Sequence, residues 1–174
     1  MLFIRFCAIL YAAKKENDGM HKIMFVCLGN ICRSPMAELL FKDMVKKAGR
    51  EKEFVIHSAA TSSENVWNGK GAPVYEPIRK LLERKGVSCA DKRAQVLTAK
   101  HADEYDWFIC MDDSNVRNAT RILGEKYAGK CKKLLSFVGE TGNVADPWYT
   151  RDFDAAYRDI ERGLKGLLQS LQYC

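Results

Sequence analysis

The sequence has no Cys-x-x-Cys pair, no two histidines three or four residues apart, and no run of five or six basic residues. Its seven cysteines, at 7, 27, 32, 89, 110, 131 and 174, are an odd set without regular spacing. That excludes a disulfide framework and a zinc ribbon and leaves reduced, intracellular thiols. His21, His57 and His101 lie too far apart in sequence to suggest a metal site, so no metal is expected. A net charge of +6, from 28 Lys and Arg against 22 Asp and Glu, is scattered along the chain. It attracts anions at long range, and without a basic block no nucleic acid is expected as partner. No internal repeat or low-complexity tract is present. An apolar stretch, Leu2 to Ala13, is broken by Arg5 and falls short of the ~20 residues a bilayer requires. It also lacks signal-peptide anatomy: its basic residue sits inside the apolar run, and cleavage after Ala12 or Ala13 would put Leu10 or Tyr11 where a small residue belongs. Residues 1–19 therefore read as an extension ahead of Met20, with a membrane-surface anchor as the alternative, and 20–174 as a single domain. With 174 residues, 47% hydrophobic and 29% charged, the chain has ordinary globular composition.

Beyond residue 22 strand and helix patterns alternate. Ile23–Cys27 suits a buried strand. Pro35–Ala48 carries Met36, Leu39, Leu40, Met44 and Ala48 at helical spacing, with Ser34 as N-cap, Pro35 as first residue and Gly49 as stop. Phe54–Ala59 reads as a second strand, followed by a polar loop through Gly71. A helix is expected over Ile78–Lys85, a strand over Trp107–Met111, a helix over Ser114–Leu123 and a fourth strand over Lys133–Phe137. A last helix from about Asp152 bears the stripe Phe153, Tyr157, Ile160, Leu164, Leu167, Leu168 and Leu171. This order predicts an α/β fold of three layers, an open parallel sheet with helices on both faces, and ligand binding at the carboxyl ends of the strands.

The first such end reads Cys27-Leu28-Gly29-Asn30-Ile31-Cys32-Arg33-Ser34-Pro35. A short loop between strand and helix can turn successive N–H groups inward, and with the helix N-terminus they form a nest for a tetrahedral oxyanion. Gly29 permits the tight turn, Asn30 tolerates a left-handed conformation, and Arg33 can grip two oxygens with its planar fork. Cys27 at the floor of the nest would be held as a thiolate, placed for in-line attack on phosphorus. Ser34 can donate its hydroxyl to that sulfur. An aryl phosphate also needs an acid for its leaving group, and Asp146 in Asp146-Pro147-Trp148-Tyr149 is the candidate, with Trp148 and Tyr149 lining a slot for a flat ring.

With Val26–Glu38, Ser58–Ser62, Cys110-Met111-Asp112 with Ser114-Asn115, and Asp146–Tyr149, the chain resembles the low-molecular-weight protein tyrosine phosphatases from Lys22 to its final helix. The resemblance implies a four-stranded parallel sheet of order 2-1-3-4, no cofactor or metal, and a cytoplasmic monomer. Its substrate would be a phosphotyrosine-containing protein or small aryl phosphate. It makes Cys27 the nucleophile, Arg33 the phosphate clamp, Asp146 the general acid and base, Asn30 the keeper of loop shape and Ser34 the donor to sulfur. Leu28, Ile31, Trp148 and Tyr149 become pocket walls, and Cys32 a neighbour able to form a reversible disulfide with Cys27. The chain departs from the family pattern at His57, commonly acidic, at Lys92, commonly a histidine bracing the loop asparagine, and at Glu64, where many members carry an aromatic that Trp67 can replace. Relatives that act on phosphoarginine carry threonine at the position of Ile31, so its apolar side chain favours phosphotyrosine. Two other readings are an arsenate reductase of this fold, which needs two further cysteines about eight residues apart, and a non-catalytic phosphoprotein-binding or redox-sensing module, which could dispense with Asp146.

Overall fold

The computed structural model describes residues 19–171; most of the expected N-terminal extension, with Cys7, and the C-terminal Cys174 lie outside the described residues. The strands of the main sheet are β1 (His21–Cys27), β2 (Phe54–Ala60), β5 (Trp107–Cys110) and β6 (Cys131–Lys133), in the order β2-β1-β5-β6, all parallel. A two-residue antiparallel pair, β3 (Val66–Trp67) and β4 (Lys70–Gly71), stands apart. The helices are α1 (Arg33–Lys47), α2 (Glu76–Arg84), α3 (His101–Glu104), α4 (Asp113–Leu123), α5 (Pro147–Thr150) and α6 (Phe153–Ser170).

Strand alternation divides the core in two, because successive side chains leave opposite faces of a sheet. Ile23, Phe25, Ile56 and Ile109 pack under α1, α2 and α6, where Phe41, Ile78, Leu82, Ile160 and Leu164 meet them. Met24, Val26, Phe108 and Cys110 face the other way, onto Ala102 of α3 and Ala119 and Leu123 of α4. Helices thus cover both faces, as expected for three layers. Cys27 pairs in register with Ala60 and Val26 with Cys110, so three strands end at one edge. None of the described helices is long and apolar enough to cross a membrane.

Two boundaries differ from expectation in ways that matter. The fourth strand, expected over Lys133–Phe137, occupies Cys131–Lys133, and Leu134–Val138 is a 3-10 helix. There the chain leaves the sheet to pack against α6 at two glycines. A Cβ at Gly163 would stand 2.6 Å from the Leu134 side chain, and one at Gly166 2.7 Å from the Phe137 carbonyl oxygen, closer than atoms approach. The first helix begins at Arg33, with Cys32 and not Ser34 at its N-cap. The Ser34 hydroxyl is engaged elsewhere, and the Cys32 carbonyl instead accepts from Met36 N–H at 3.2 Å. Trp148 and Tyr149, expected on a loop, lie in the short helix α5, capped by Asp146. Smaller differences are that β2 runs one residue longer, β5 ends one residue sooner, and α2 starts at Glu76. The last helix starts next to Asp152 as expected, and Asp152 caps it, accepting from Ala155 N–H.

Candidate active site

The segment between β1 and α1 is shaped by what its carbonyls bind. The Cys27, Leu28 and Ile31 carbonyls accept from the N–H groups of Thr61, Ser62 and Tyr75, each at 2.9 Å, and the Gly29 carbonyl from Asn65 Nδ2 at 3.0 Å. In a trans peptide the N–H points opposite the C=O. Tying these oxygens outward therefore turns the N–H groups of Leu28, Gly29, Asn30 and Cys32 the other way. That of Asn30 reaches Cys27 Sγ at 3.3 Å. The result is the concave row of donors that the sequence predicts, next to the N-terminus of α1.

Asn30 fixes the turn. It adopts φ 54°, left-handed, and is buried with every side-chain polar atom engaged. Its Oδ1 accepts from Gln95 N–H at 3.0 Å, which fixes the orientation of the amide. Its Nδ2 then donates to Ser34 Oγ and to Ser58 Oγ, both at 2.8 Å. The Ser58 hydroxyl donates to Glu38 Oε2 at 2.6 Å, a carboxylate held by Lys92 and Lys42, each at 2.6 Å. Ser34 Oγ, which already accepts from Asn30, stands 3.0 Å from Cys27 Sγ with its own hydrogen free to donate there. Burial works against the charge on Glu38, but Lys92, Lys42 and Ser58 outweigh it and hold the carboxyl below its ordinary 4.5.

Arg33, 4% exposed, lies in the first turn of α1 and spreads its guanidinium between two carboxylates. Nη1 donates to Asp112 Oδ2 at 2.8 Å and Nη2 to Asp146 Oδ2 at 2.6 Å. Asp112 is itself anchored as N-cap of α4, where Oδ1 accepts from Asn115 N–H at 2.7 Å and from the Ser114 hydroxyl at 2.6 Å. Burial opposes its charge too, yet the bonds from Ser114, Asn115 and Arg33 bring its pKa below 3.8. Asp146 Oδ1 accepts from Trp148 N–H at 3.0 Å. The partly exposed Asp146 thus sits beside the guanidinium and at the edge of the cleft.

That cleft has a volume of about 390 Å³. Cys27 to Arg33 form its floor, Glu64 and Asn65 one wall, and Asp146, Trp148 and Tyr149 the other. Ser34 lies beneath the floor, completely buried. Every residue assigned to the site from the sequence is therefore in the cleft or directly under it, whereas Trp67, expected to replace the loop aromatic, is exposed in β3 and does not line the cleft. Cys32, buried beside Cys27, is a different thiol: burial first, then the nearness of Cys27 and Asp146, pushes its pKa up to about 12. Reading the sequence assigned no role to Asp112, Glu38 and Asn65, and marked Lys92 only as standing where a loop-bracing histidine is common. Asp112 had a readable signal, an acidic residue just past the third sheet strand and before a helix. Glu38, Lys92 and Asn65 are brought in by contacts spanning tens of residues. Among the described residues no group of His, Cys, Asp and Glu is arranged to hold a metal ion.

Comparison with known proteins gives one consistent result. The family model of the low molecular weight phosphotyrosine protein phosphatases matches residues 22–173. The low molecular weight protein-tyrosine-phosphatase YfkJ of Bacillus subtilis is 35% identical over 155 residues, 88% of this chain and 97% of that protein. PtpA of Staphylococcus aureus, strain MRSA252, is 35% identical over 139 residues, covering 79% and 85%. The crystal structure of YfkJ superposes with a TM-score of 0.83 at 34% identity, over 90% of this chain and 98% of that one. The low molecular weight protein tyrosine phosphatase of Streptococcus pyogenes does so with 0.77 at 32%, over 87% and 93%. The strand order, the Cys27–Ser34 turn and these matches agree: the chain belongs to the low molecular weight phosphotyrosine protein phosphatase family.

Proposed function

We propose that this protein-tyrosine phosphatase hydrolyses phosphotyrosine in proteins through a phosphorylated Cys27. The phosphoryl group sits in the nest of amides with its oxygens on the Arg33 fork, and Sγ attacks phosphorus opposite the aryl oxygen. The P–O bond breaks, and the phenolate oxygen takes the proton of Asp146. Asp146 then accepts a proton from water as the water oxygen attacks phosphorus. The S–P bond breaks, inorganic phosphate leaves, and the electron pair returns to a sulfur that Ser34 O–H and Asn30 N–H stabilise. A phosphoryl group arriving at Arg33 competes with Asp146 for Nη2. Asp112, tied to the N-terminus of α4, keeps the guanidinium aligned meanwhile. Leu28, Ile31, Trp148 and Tyr149 are the walls around the aromatic ring.

One observation carries the reading: Cys27 Sγ receives Asn30 N–H and stands 3.0 Å from the Ser34 hydroxyl inside a turn that ends at Arg33. The proposal extends to a monomer acting in the cytoplasm, and Cys27, Cys32, Cys89, Cys110 and Cys131 are unbridged. A thiol relay of the arsenate-reductase kind is disfavoured, because Cys110 and Cys131 are packed in the sheet and burial pushes both thiols up. A binding module without chemistry would not need Asp146 at the mouth. Turnover of p-nitrophenyl phosphate is the test. Wild type is expected to be active, Cys27→Ser inactive, and Asp146→Asn slowed by about a hundredfold or more in kcat. Equal rates in the three proteins would reject the mechanism.

A further inference from the structure

One charge at the cleft is unexplained by the chemistry above. Glu64 forms part of the wall facing Trp148 and Tyr149, and its Oε1 lies 2.9 Å from where a Cβ on Gly29 would be. Its place on the chain is fixed from both sides. Thr61 and Ser62 donate to the Cys27 and Leu28 carbonyls, and Asn65 Nδ2 to that of Gly29. Ser62 Oγ also accepts from Glu64 N–H at 3.3 Å. Among the described residues no ion pair engages the Glu64 carboxylate. The cation of this cleft, Arg33, is committed to Asp112 and Asp146. Arg151 stands over the Trp148 ring, 5.6 Å from its centre, without an ion pair to Glu64.

An unpaired carboxylate beside a nest for a dianion repels what the nest attracts. It makes sense where the substrate brings a cation along with its phosphate. We propose that Glu64 is a specificity-determining residue that selects phosphotyrosine with a lysine or arginine beside it in the peptide. The basic side chain crosses the rim to the Glu64 carboxylate while the phosphorylated ring enters between Gly29 and Trp148. An acidic neighbour would meet Glu64 as a like charge. The inference rests on the phosphatase reading of the cleft and adds the substrate class to it.

The test compares two phosphotyrosine peptides, identical except for lysine or glutamate immediately before and after the phosphotyrosine, alongside p-nitrophenyl phosphate. At low salt the wild-type ratio of kcat/KM, lysine peptide over glutamate peptide, is expected at about fivefold to twentyfold, carried by KM and shrinking as salt screens the rim. Glu64→Gln should cut the ratio to about a third, and Glu64→Lys should bring it below one. A wild-type ratio of one, or one that Glu64→Lys leaves in place, overturns the inference even if p-nitrophenyl phosphate is hydrolysed normally. No turnover of any of the three substrates by wild type overturns the phosphatase reading itself.

Discussion

The two halves of the active site are built to opposite standards. In the turn from Cys27 to Ser34, Cys27 is 3% exposed, Asn30 1% and Ser34 0%, and its shape is enforced from four other segments of the chain. In the segment from Asp146 to Arg151, Trp148 is 50% exposed and Tyr149 78%. That segment is a four-residue helix closed by Arg151 in a left-handed conformation, φ 57°. The lesson is one of tolerance. In the proposed mechanism, attack on phosphorus needs sulfur, amides and guanidinium within tenths of an ångström, which suits a half built on buried, mutually determined hydrogen bonds. The proposed leaving-group half must admit a ring and exchange a proton with water, which suits its place at the surface. Arg33 joins them, with Asp112 on one nitrogen and Asp146 on the other.

The contrast can be broken most severely at that joint. Arg33→Lys replaces a fork by a point charge that cannot span both carboxylates and phosphate, and kcat/KM for p-nitrophenyl phosphate should fall about a thousandfold. A loss below tenfold would mean that the guanidinium geometry is not used. Next comes the buried half. Asn30→Ala removes the bonds to Ser34, Ser58 and Gln95 at a left-handed position, and urea unfolding should show about 2–4 kcal/mol of destabilisation together with loss of activity. A variant as stable as wild type would show that the network is ornamental.

Lys92→Met sharpens the same side through pH. The depressed pKa of Glu38 stabilises the fold above the ordinary carboxylate value, and that stability is lost as pH falls through the lowered folded value. Without Lys92 its charge and hydrogen bond no longer oppose burial, the Glu38 pKa rises, and the loss begins at higher pH. Measured from pH 7 to pH 4, the urea midpoint of the variant should drop sooner than that of wild type, with about 2 kcal/mol lost at neutral pH because a buried charge has lost a partner. Parallel curves would contradict this. The smallest effect belongs to the exposed half. Trp148→Ala should raise KM for aryl phosphates by about tenfold or less, with kcat and melting temperature nearly unchanged, because the ring lines the cleft and props up little of the core. A large loss of stability there would erase the contrast.

What could be read from the sequence follows the same division. Cys27, Gly29, Asn30, Arg33 and Ser34 are neighbours in the chain, so their order displays the chemistry directly. The position of Asp146 followed from the parallel sheet, which gathers strand ends on one edge. Lys92, Glu38 and Ser58 were illegible as a unit, because nothing local says that the Ser58 hydroxyl and the Lys92 ammonium meet on the Glu38 carboxylate. Ser34-Pro35 resembles a helix cap, but the Ser34 hydroxyl serves sulfur, and so Cys32 takes the capping position. Leu134 to Val138 has the apolar character of a strand but forms a 3-10 helix that packs on α6 where Gly163 and Gly166 leave room for it.

Transfer of phosphorus to Cys27 leaves a covalent intermediate that can be trapped. Asp146→Asn, mixed with an activated aryl phosphate whose leaving group needs no acid, should accumulate phosphoenzyme when quenched within milliseconds. Mass spectrometry of the peptides should then place one phosphate on the Cys27 sulfur. Phosphate found on Cys32 or another side chain, or turnover with no covalent phosphoenzyme, would contradict the account.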